Sequence, residues 1–335
     1  MNRVAILIPN YNNAGYLPQC LVSVQAQTLT DWRAIVGDNA STDDSVAVVK
    51  AIQDPRMSLV ERSPTVSWVA NVNLLLEQMP DADYVAVLHA DDWWEPRFLE
   101  VLVGLLEAAP ASIMAASAWR IVPNGGSPRV TGLHKGRAVG RSTCSSSEAL
   151  RLLTEKNWLC SSAIIARRSL YRRFPRFDES FPLVNDWLMW IRAATAGNVE
   201  VTAEPLANYR LHDSSVSAEA RRANRWGEEM IRMARTLQAE WANAEPVEGL
   251  CRAVASGVAA ELLADAGLRA ERGDTAGALI QARLAGSIAP GFKQHTLAVL
   301  GEQIIRMTEL PGLRLVRGPA ADLGRRLWGV LRPAA

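Results

Sequence analysis

The first 120 residues alternate between short apolar runs and stretches whose apolar positions recur every three or four residues. Five apolar, β-rich runs predict strands, at 4–8, 33–37, 57–61, 84–88 and 112–121. Helical spacing between the first four runs predicts three helices, at 16–24, 46–52 and 69–78. Ser41 to Asp44 has capping-box spacing and predicts the start of the second helix. Apolar strands separated by helices indicate an α/β protein with a mostly parallel sheet covered on both faces.

The pattern changes twice further along the chain. Residues 125–145 are rich in Gly, Ser and Arg and predict an irregular segment. Helix and strand signals return at 147–154 and 161–166, and residues 180–197 contain a helix that leads into an extended stretch. Beyond about 218 the sequence predicts helices only, including a tetratricopeptide-like hairpin that turns at Gly273-Asp274. We therefore divide the chain into an α/β domain, 1–217, and a helical region, 218–335.

Composition narrows the class of protein. There are 36 basic and 35 acidic residues, a net charge of +1, so no global field attracts nucleic acid. The four cysteines lack CxxC spacing, which argues against a zinc site and fits a reducing compartment. Because neither a signal peptide nor an apolar run of about 18 residues is visible, we expect a cytoplasmic protein. The basic tail 313–335 could contact an anionic membrane surface or pack by its apolar face.

Polar residues follow the predicted strands, at the edge where parallel sheets bind ligands. The first strand ends in PNYN at 9–12, where Tyr11 could stack on a flat heterocycle or belong to an ordinary polar turn. The second strand ends in Gly37-Asp38-Asn39, and Asp38 is placed to hydrogen-bond a base or a ribose. GxGxxG and P-loop motifs are both missing, which excludes those two modes of nucleotide binding.

Carboxylates recur at two later positions. Asp91 and Asp92 follow the fourth predicted strand, where adjacent charges repel unless a divalent cation lies beside them; the pair could equally cap a helix. Asp186 precedes the helix WLMWIRAATAG and could be its cap or a desolvated general base. Arg210 and His212 alternate in an extended stretch and are candidate diphosphate and metal partners.

The order of these motifs resembles inverting glycosyltransferase family 2, whose members have the Rossmann-like GT-A fold. The resemblance runs from 4 to about 217 through VAILIPNYN, IVGDNASTDDS, TVSWVANVN, VAVLHADDWWEP, FDESFPLVNDWLMWIR and YRLHDSSVS. It does not cover the helical remainder. The chain departs from the family pattern at five positions: Asn39, Ala40, Ala70, His89 and Asn185.

The resemblance implies a nucleotide-sugar site. Pro9 and Tyr11 would line the base pocket, Asp38 would bind the base or ribose, and Asn71 would lie beside the donor. His89 stands at the first position of the family's Asp-x-Asp motif, where it would face the nucleotide-sugar.

The resemblance also implies the reacting centre. Asp91 would bind Mg²⁺ or Mn²⁺ with Asp92 beside it, His212 would reach the metal or the diphosphate, and Asp186 would be the catalytic base. Trp158, Trp187 and Trp190 are candidate sugar-stacking surfaces, although tryptophans at helical spacing are more often core.

The sequence therefore predicts metal-dependent, inverting transfer of a sugar in cell-surface polysaccharide, glycolipid or glycoconjugate synthesis. The donor would be a UDP-, GDP- or dTDP-sugar, and the acceptor a hydroxyl group on a glycan, a lipid-linked molecule or another compound. Three alternatives stay open: a polyprenyl-phosphate sugar synthase, a catalytically silent sugar- or partner-binding protein, and a nucleotidyltransferase. The last lacks the basic, Gly-rich phosphate loop that it would need.

Overall fold

The structure is a computed structural model that describes residues 2–123, 127–131, 140–212, 225–241 and 248–288. The chain divides into two compact units, one of residues 1–153 with 157–215 and one of residues 154–156 with 216–335. The domain limits drawn from the sequence, 1–217 and 218–335, remain a working division. The segment 132–139 and the basic tail lie outside the described residues.

The first unit is built on a single sheet. Its strands are β1 (Asn2–Asn10), β2 (Trp32–Asp38), β3 (Met57–Glu61), β4 (Ala82–Val87), β5 (Trp93–Trp94), β6 (Ser112–Pro123), β7 (Arg129–Thr131), β8 (Arg141–Cys144), β9 (Ile164–Arg167) and β10 (Asn198–Leu211). They lie in the order β3-β2-β1-β4-β9-β6-β10-β5, with β7 beside β6 and β8 beside β10. Strands β1 to β4 pair in parallel, as do β6 and β10, whereas β9 runs antiparallel between β4 and β6. The α/β class is confirmed, with one reversed strand in the middle of the sheet.

Helices flank this sheet. They are α1 (Leu17–Gln25), α2 (Ser45–Ala51), α3 (Trp68–Gln78), α4 (Phe98–Ala108), α5 (Ser146–Glu155), α6 (Arg168–Arg173) and α7 (Asn185–Ala194), and a 3₁₀ turn spans Ser161–Ala163. Ala34 and Val36 of β2 join a core with α1 and α4. Gly37 points the other way, because a Cβ there would meet Leu75 of α3 at 2.9 Å. Alternate residues of β2 therefore face opposite helical layers, so both faces of the sheet are covered.

Three local expectations were wrong. The segment 125–145 is not irregular throughout, since it contains β7 and β8. Helix α4 has no counterpart among the predicted helices because it is apolar almost all round, so no single face stands out in the sequence. The capping box at 41–44 does not form: Asp44 is the N-cap without a side-chain cap bond, and the Ser41 hydroxyl donates to Asp38 instead.

The second unit contains the helices Arg225–Trp241, Glu248–Glu271 and Thr275–Ile288. The predicted hairpin is confirmed: Gly273 adopts φ 82° at the turn, and the Asp274 carboxylate accepts the Gly277 N–H at 2.9 Å. The first of these helices buries Met230, Met233 and Leu237, which recur at helical spacing. Among the described helices, none combines the length and apolar character that a bilayer-spanning segment requires.

Candidate active site

The ends of β1 and β2 are joined by a dense hydrogen-bond network around Asp38. The Asp38 carboxylate is buried and accepts from Asn10 Nδ2 at 2.8 Å, from Ser41 Oγ at 2.6 Å and from the Ser41 N–H at 2.9 Å. Asn12 completes the link by accepting the Thr42 N–H at 2.8 Å. Because two of these bonds, Asn10 to Asp38 and Thr42 to Asn12, join the two strand ends, these ends form one fixed surface. Asp38 thus lies where the sequence placed it.

Asn10 presents an acceptor at this surface. Its Nδ2 is committed to Asp38, whereas its Oδ1 is buried without a hydrogen-bond partner among the described residues. A buried carbonyl oxygen without a donor is costly, so an N–H group of a ligand would be favoured there. Next to it, Pro9 is partly buried and Tyr11 is 48% exposed. The tyrosine ring is accessible for stacking.

Asn71 lies on the other side of the β2 end. Its Nδ2 donates to the Gly37 carbonyl at 2.8 Å, and its Oδ1 accepts from Arg62 Nε at 2.6 Å. Gly37 allows this approach, since a Cβ there would lie 3.0 Å from Asn71 Oδ1. Both polar ends of Asn71 are therefore engaged within the protein, and its geometry is that of a residue that positions Arg62. Burial lowers the pKa of Arg62.

Asp91 and Asp92 point in different directions. Asp92 is 2% exposed and accepts from Ser162 Oγ at 2.6 Å and from the Arg210 N–H at 2.9 Å. Burial, followed by the neighbouring charge of Asp91, raises the pKa of Asp92 well above its ordinary value. The Asp91 carboxylate instead lies 2.9 Å from His212 Nε2. Burial opposes its ionisation, but the hydrogen bond with His212 and the charge of His89 outweigh that cost and lower the pKa of Asp91.

Asp91 and His212 are able to supply two of the ligands of a bound cation. An oxygen and a nitrogen 2.9 Å apart can both be ligands of one ion, since adjacent octahedral ligands at about 2.1 Å from a metal are separated by about 3 Å. In the part of the chain that the structure describes, no three His, Cys, Asp or Glu side chains converge on one point. A cation held here would take its remaining ligands from a substrate and water, as Mg²⁺ does at phosphate sites.

Arg210 braces this pair. Its Nε donates to the Asp91 carbonyl at 2.9 Å, one Nη donates to Gln19 Oε1 at 2.6 Å, and its guanidinium lies over the rings of Tyr16 and Trp93. These contacts fix the end of β10 against α1 and the Asp91 backbone. The structure thus shows Arg210 holding protein groups in place; its contact with a diphosphate stays a prediction.

Asp186 is the second residue of α7 and is half-buried. It accepts the Trp187 N–H at 2.6 Å and lies 3.2 Å from Ser161 Oγ, and it also interacts with the Asn157 side chain. Burial raises the pKa of Asp186, and these hydrogen bonds and the charge of His89 only partly offset that effect. A carboxylate destabilised in its charged form, yet held in one orientation, is suited to accept a proton.

His89 relates the two carboxylates. A positive charge on His89 lowers the pKa of both Asp91 and Asp186. The Cys160 thiol is also affected by carboxylates of both groups. Burial is the largest cause of its raised pKa, and the charges of Asp92 and Asp186 raise it further. Asp91 and Asp186 come from positions 95 residues apart in the chain, and the fold brings both to the surroundings of His89.

The three candidate stacking tryptophans are all core residues. Trp158, Trp187 and Trp190 are 5%, 3% and 2% exposed, and Trp187 Nε1 donates to the Leu153 carbonyl at 2.7 Å. The stacking role is wrong for this conformation, because no ring face is accessible to a sugar. Their burial among apolar neighbours explains why α7 alternates tryptophans with aliphatic residues.

Sequence reasoning missed four residues near the site. Asn10 belongs to the PNYN motif at 9–12, but the sequence gives it no role of its own. Arg62 follows β3 and lies outside every motif. Ser161 and Ser162 resemble an ordinary turn, and only their contacts single them out. A polar residue directly after β3, at the strand edge already suspected, was the signal for Arg62.

Comparison with known proteins shows the family to which the chain belongs. The model of glycosyl transferase family 2 matches residues 5–174, just over half of the chain. An uncharacterised glycosyltransferase of Haemophilus influenzae is 22% identical over 64% of this chain and 67% of its own length. The succinoglycan biosynthesis protein ExoO of Rhizobium meliloti is 26% identical over 62% of this chain and 60% of its own. The chain thus spans about two thirds of the length of these curated relatives.

Solved structures show the same fold. S. aureus TarS 1–349 in complex with UDP-GlcNAc superposes with a TM-score of 0.65 at 15% identity, over 97% of this chain and 92% of that chain. The mannosyltransferase PcManGT of Pyrobaculum calidifontis, in complex with GDP-Man and Mn²⁺, superposes with a TM-score of 0.57 at 17% identity, over 98% and 86%. With the family model matching more than half of its length, the chain belongs to glycosyl transferase family 2 and is a glycosyltransferase.

Proposed function

We propose that this protein transfers a sugar from a nucleoside-diphosphate donor to a hydroxyl acceptor with divalent-cation dependence and inversion at the anomeric carbon. The observation that carries the proposal is the pair of dissimilar carboxylates around His89. Asp91 lies beside His212 and has a lowered pKa, and Asp186 is half-buried and has a raised pKa. One suits a cation and the other suits a proton.

The donor nucleotide would lie across the ends of β1 and β2. The Asn10 Oδ1 acceptor and the Asp38 carboxylate face the base and ribose, and Tyr11 stacks on the base. Arg62 adds a positive charge at the end of β3, with its Nε fixed by Asn71. UDP and GDP donors both fit this description, in keeping with the UDP-GlcNAc and GDP-Man complexes of the fold relatives.

Asp91 and His212 would hold Mg²⁺ or Mn²⁺. When bound, the cation neutralises the charge that develops on the leaving nucleoside diphosphate. Asp92 does not share this role in our proposal, since burial raises its pKa well above the ordinary value and its oxygens accept hydrogen bonds from Ser162 and from the Arg210 N–H. It is a positioning residue, which fixes the backbone from which Asp91 projects.

Asp186 would remove the acceptor proton. As the acceptor oxygen attacks the anomeric carbon from the face opposite the diphosphate, the Asp186 carboxylate takes the hydroxyl proton. The new C–O bond forms as the bond to the diphosphate oxygen breaks, and that oxygen keeps the electron pair. Attack from the opposite face inverts the anomeric configuration.

The biological setting follows the relatives. ExoO is named for succinoglycan biosynthesis, and an Escherichia coli relative, 23% identical over 64% of this chain and 79% of its own length, is a β-1,3-glucosyltransferase that acts on a diphosphoundecaprenol-linked sugar. We therefore place the reaction in the assembly of a cell-surface polysaccharide or a related glycoconjugate. A lipid-linked or free glycan hydroxyl is the expected acceptor class.

Binding calorimetry with UDP, GDP and dTDP, each with Mn²⁺ and with EDTA, tests the donor and cation proposals together. We expect one nucleotide to bind at least about tenfold more tightly with Mn²⁺ than with EDTA, because the ion joins Asp91 to the diphosphate. Donors of that nucleotide are then assayed for release of nucleoside diphosphate in the presence of glycan acceptors. Equal affinity with and without the ion would contradict the cation assignment.

A further inference from the structure

The 3₁₀ turn Ser161–Ala163 contacts the segment 89–94, which follows β4, through three hydrogen bonds. Ser162 Oγ donates to Asp92 Oδ2 at 2.6 Å and accepts the His89 N–H at 3.3 Å. The Ser162 carbonyl accepts from Trp94 Nε1 at 2.6 Å. Ser162 is 1% exposed, so water does not compete for these bonds. The turn is therefore fixed to the segment that carries Asp91.

The preceding residue faces the other carboxylate. Ser161 Oγ lies 3.2 Å from Asp186 Oδ2 and donates to it. The second oxygen, Oδ1, accepts the Trp187 N–H at 2.6 Å, which leaves Ser161 and Asn157 as the side chains that orient the carboxylate. Consecutive residues thus contact the proposed base and the neighbour of the proposed cation ligand.

We propose that Ser161 and Ser162 act as a positioning pair, in which Ser161 orients the base Asp186 and Ser162 orients the cation-binding segment through Asp92. This inference rests on the proposed function. Ser161 and Ser162 are consecutive residues of one 3₁₀ turn, so they set the spacing between the two reacting centres more firmly than residues of two separate loops would. Neither serine contacts the reacting atoms, and each acts through the carboxylate that it touches.

The two hydroxyls make separable predictions. Ser161→Ala removes a donor from Asp186 only, so we expect kcat to fall while nucleotide affinity with Mn²⁺ is unchanged. Ser162→Ala removes the hydroxyl that donates to Asp92 and that accepts the His89 N–H. We therefore expect nucleotide affinity with Mn²⁺ to weaken by about tenfold, as it does when other residues that orient metal ligands are lost. Ser161→Thr keeps the hydroxyl and should restore kcat.

A titration gives a readout that does not depend on activity. The groups that face Asp186 are His89, Asn157, Ser161, the Trp187 N–H and Cys160. A donor to the ionised carboxylate lowers its pKa, so its loss in Ser161→Ala should raise the Asp186 pKa. A ¹³C NMR titration of the carboxyl group in the full chain, without a donor, measures this shift. The same titration should be unchanged in Ser162→Ala.

Matched controls come from two other serines. Ser117 is buried in β6, and its hydroxyl has no partner among the described residues; Ser58 on β3 donates to the Ala34 carbonyl at 3.2 Å. Ser117→Ala and Ser58→Ala should leave kcat, nucleotide affinity and the Asp186 titration unchanged. Thermal midpoints of all variants show whether any effect follows loss of folding.

The outcomes separate this inference from the proposed function. If the unmodified protein binds no nucleotide with cation dependence, the proposed function fails, whereas an Asp186 titration that moves in Ser161→Ala alone still supports the base-orienting half. If the unmodified protein is active but the two serine variants change the same quantities, or neither changes any, the positioning pair is wrong.

Discussion

Asp91 and Asp186 are both half-buried aspartates, yet their surroundings shift their pKa values in opposite directions. At Asp91, a hydrogen bond with His212 and the charge of His89 outweigh burial and lower the pKa. At Asp186, burial outweighs a backbone N–H, Ser161 and the same His89, and raises the pKa. The difference lies in the partner: an imidazole beside one carboxylate, and only neutral donors in contact with the other.

This difference supports the roles that we propose for the two aspartates. A carboxylate that stays ionised attracts a cation, and one whose charge is costly gains by taking up a proton. Had both side chains been judged by sequence alone, each would have remained a candidate helix cap. The variants below test whether cation binding and proton transfer are in fact divided between them.

The largest expected effect is that of Asp186→Asn. The amide keeps the shape of the side chain but cannot accept the acceptor's proton, so kcat should fall by about 10²–10⁴-fold. Nucleotide affinity in the presence of Mn²⁺, measured by calorimetry, should be unchanged. Asp178→Asn, on the loop before α7, is the matched control and should stay active. Normal transfer by Asp186→Asn would show that another group is the base.

Asp91→Asn should affect cation binding and not proton transfer. Loss of the charge beside His212 should weaken cation-dependent nucleotide binding by about 100-fold, because charge-assisted contacts to the ion are lost. Calorimetry with and without EDTA measures the effect. Asp83→Asn, at an exposed position in β4, serves as the control. If Asp91→Asn binds nucleotide and Mn²⁺ like the unmodified protein, the two carboxylates do not divide the work as proposed.

The pH dependence follows from the raised pKa of Asp186. The base works in its deprotonated form, so kcat should rise with pH through a value above the pKa of an ordinary aspartate.

The raised pKa of Asp186 also affects stability, in the opposite direction. A carboxyl group whose pKa is raised on folding stabilises the folded state at acidic pH, and this contribution is lost as pH rises. Asp186→Asn should therefore gain thermal stability relative to the unmodified protein at neutral pH but not at acidic pH. A constant difference across pH would contradict the assigned shift.

The smallest expected effect is a change in stability at Ala40, which follows β2 at the proposed nucleotide site. Ala40 adopts φ 59°, a left-handed conformation that disfavours a Cβ. Ala40→Gly should raise the free energy of unfolding by about 0.5–1 kcal/mol, the relieved strain less the entropy that glycine adds to the unfolded chain. Urea denaturation measures this change. The kcat pH profile, which reports on Asp186, should stay the same.

Prediction from sequence succeeded where strands and helices alternate. The strands β1 to β4 and helices α1 to α3 were found within one or two residues at most ends, since each strand is apolar and each helix has one apolar face. Because parallel strands end at a common edge, the proximity of Asp38 and the 9–12 segment could also be expected. These are consequences of local patterns.

The remainder depends on contacts between distant segments. The antiparallel direction of β9 cannot be read from IIAR, because direction is set by what the strand pairs with. Asp91 and Asp92 look equivalent in sequence, and only Ser162 and Arg210 distinguish them. Asn71 was expected at the donor, but its amide is engaged by Gly37 and Arg62. No local pattern encodes such pairings.

The position of Arg210 has a consequence for synthesis of the chain. Its guanidinium reaches Gln19, 191 residues earlier, and its main chain reaches Asp92, 118 residues earlier. Contacts between such distant positions are slow to form and cannot form before the later segment has left the ribosome. Strands β1 to β4 can pair during translation, whereas the half of the site for which we propose cation binding is completed last. A nascent chain shorter than about 212 residues would therefore present a folded sheet edge without a competent centre.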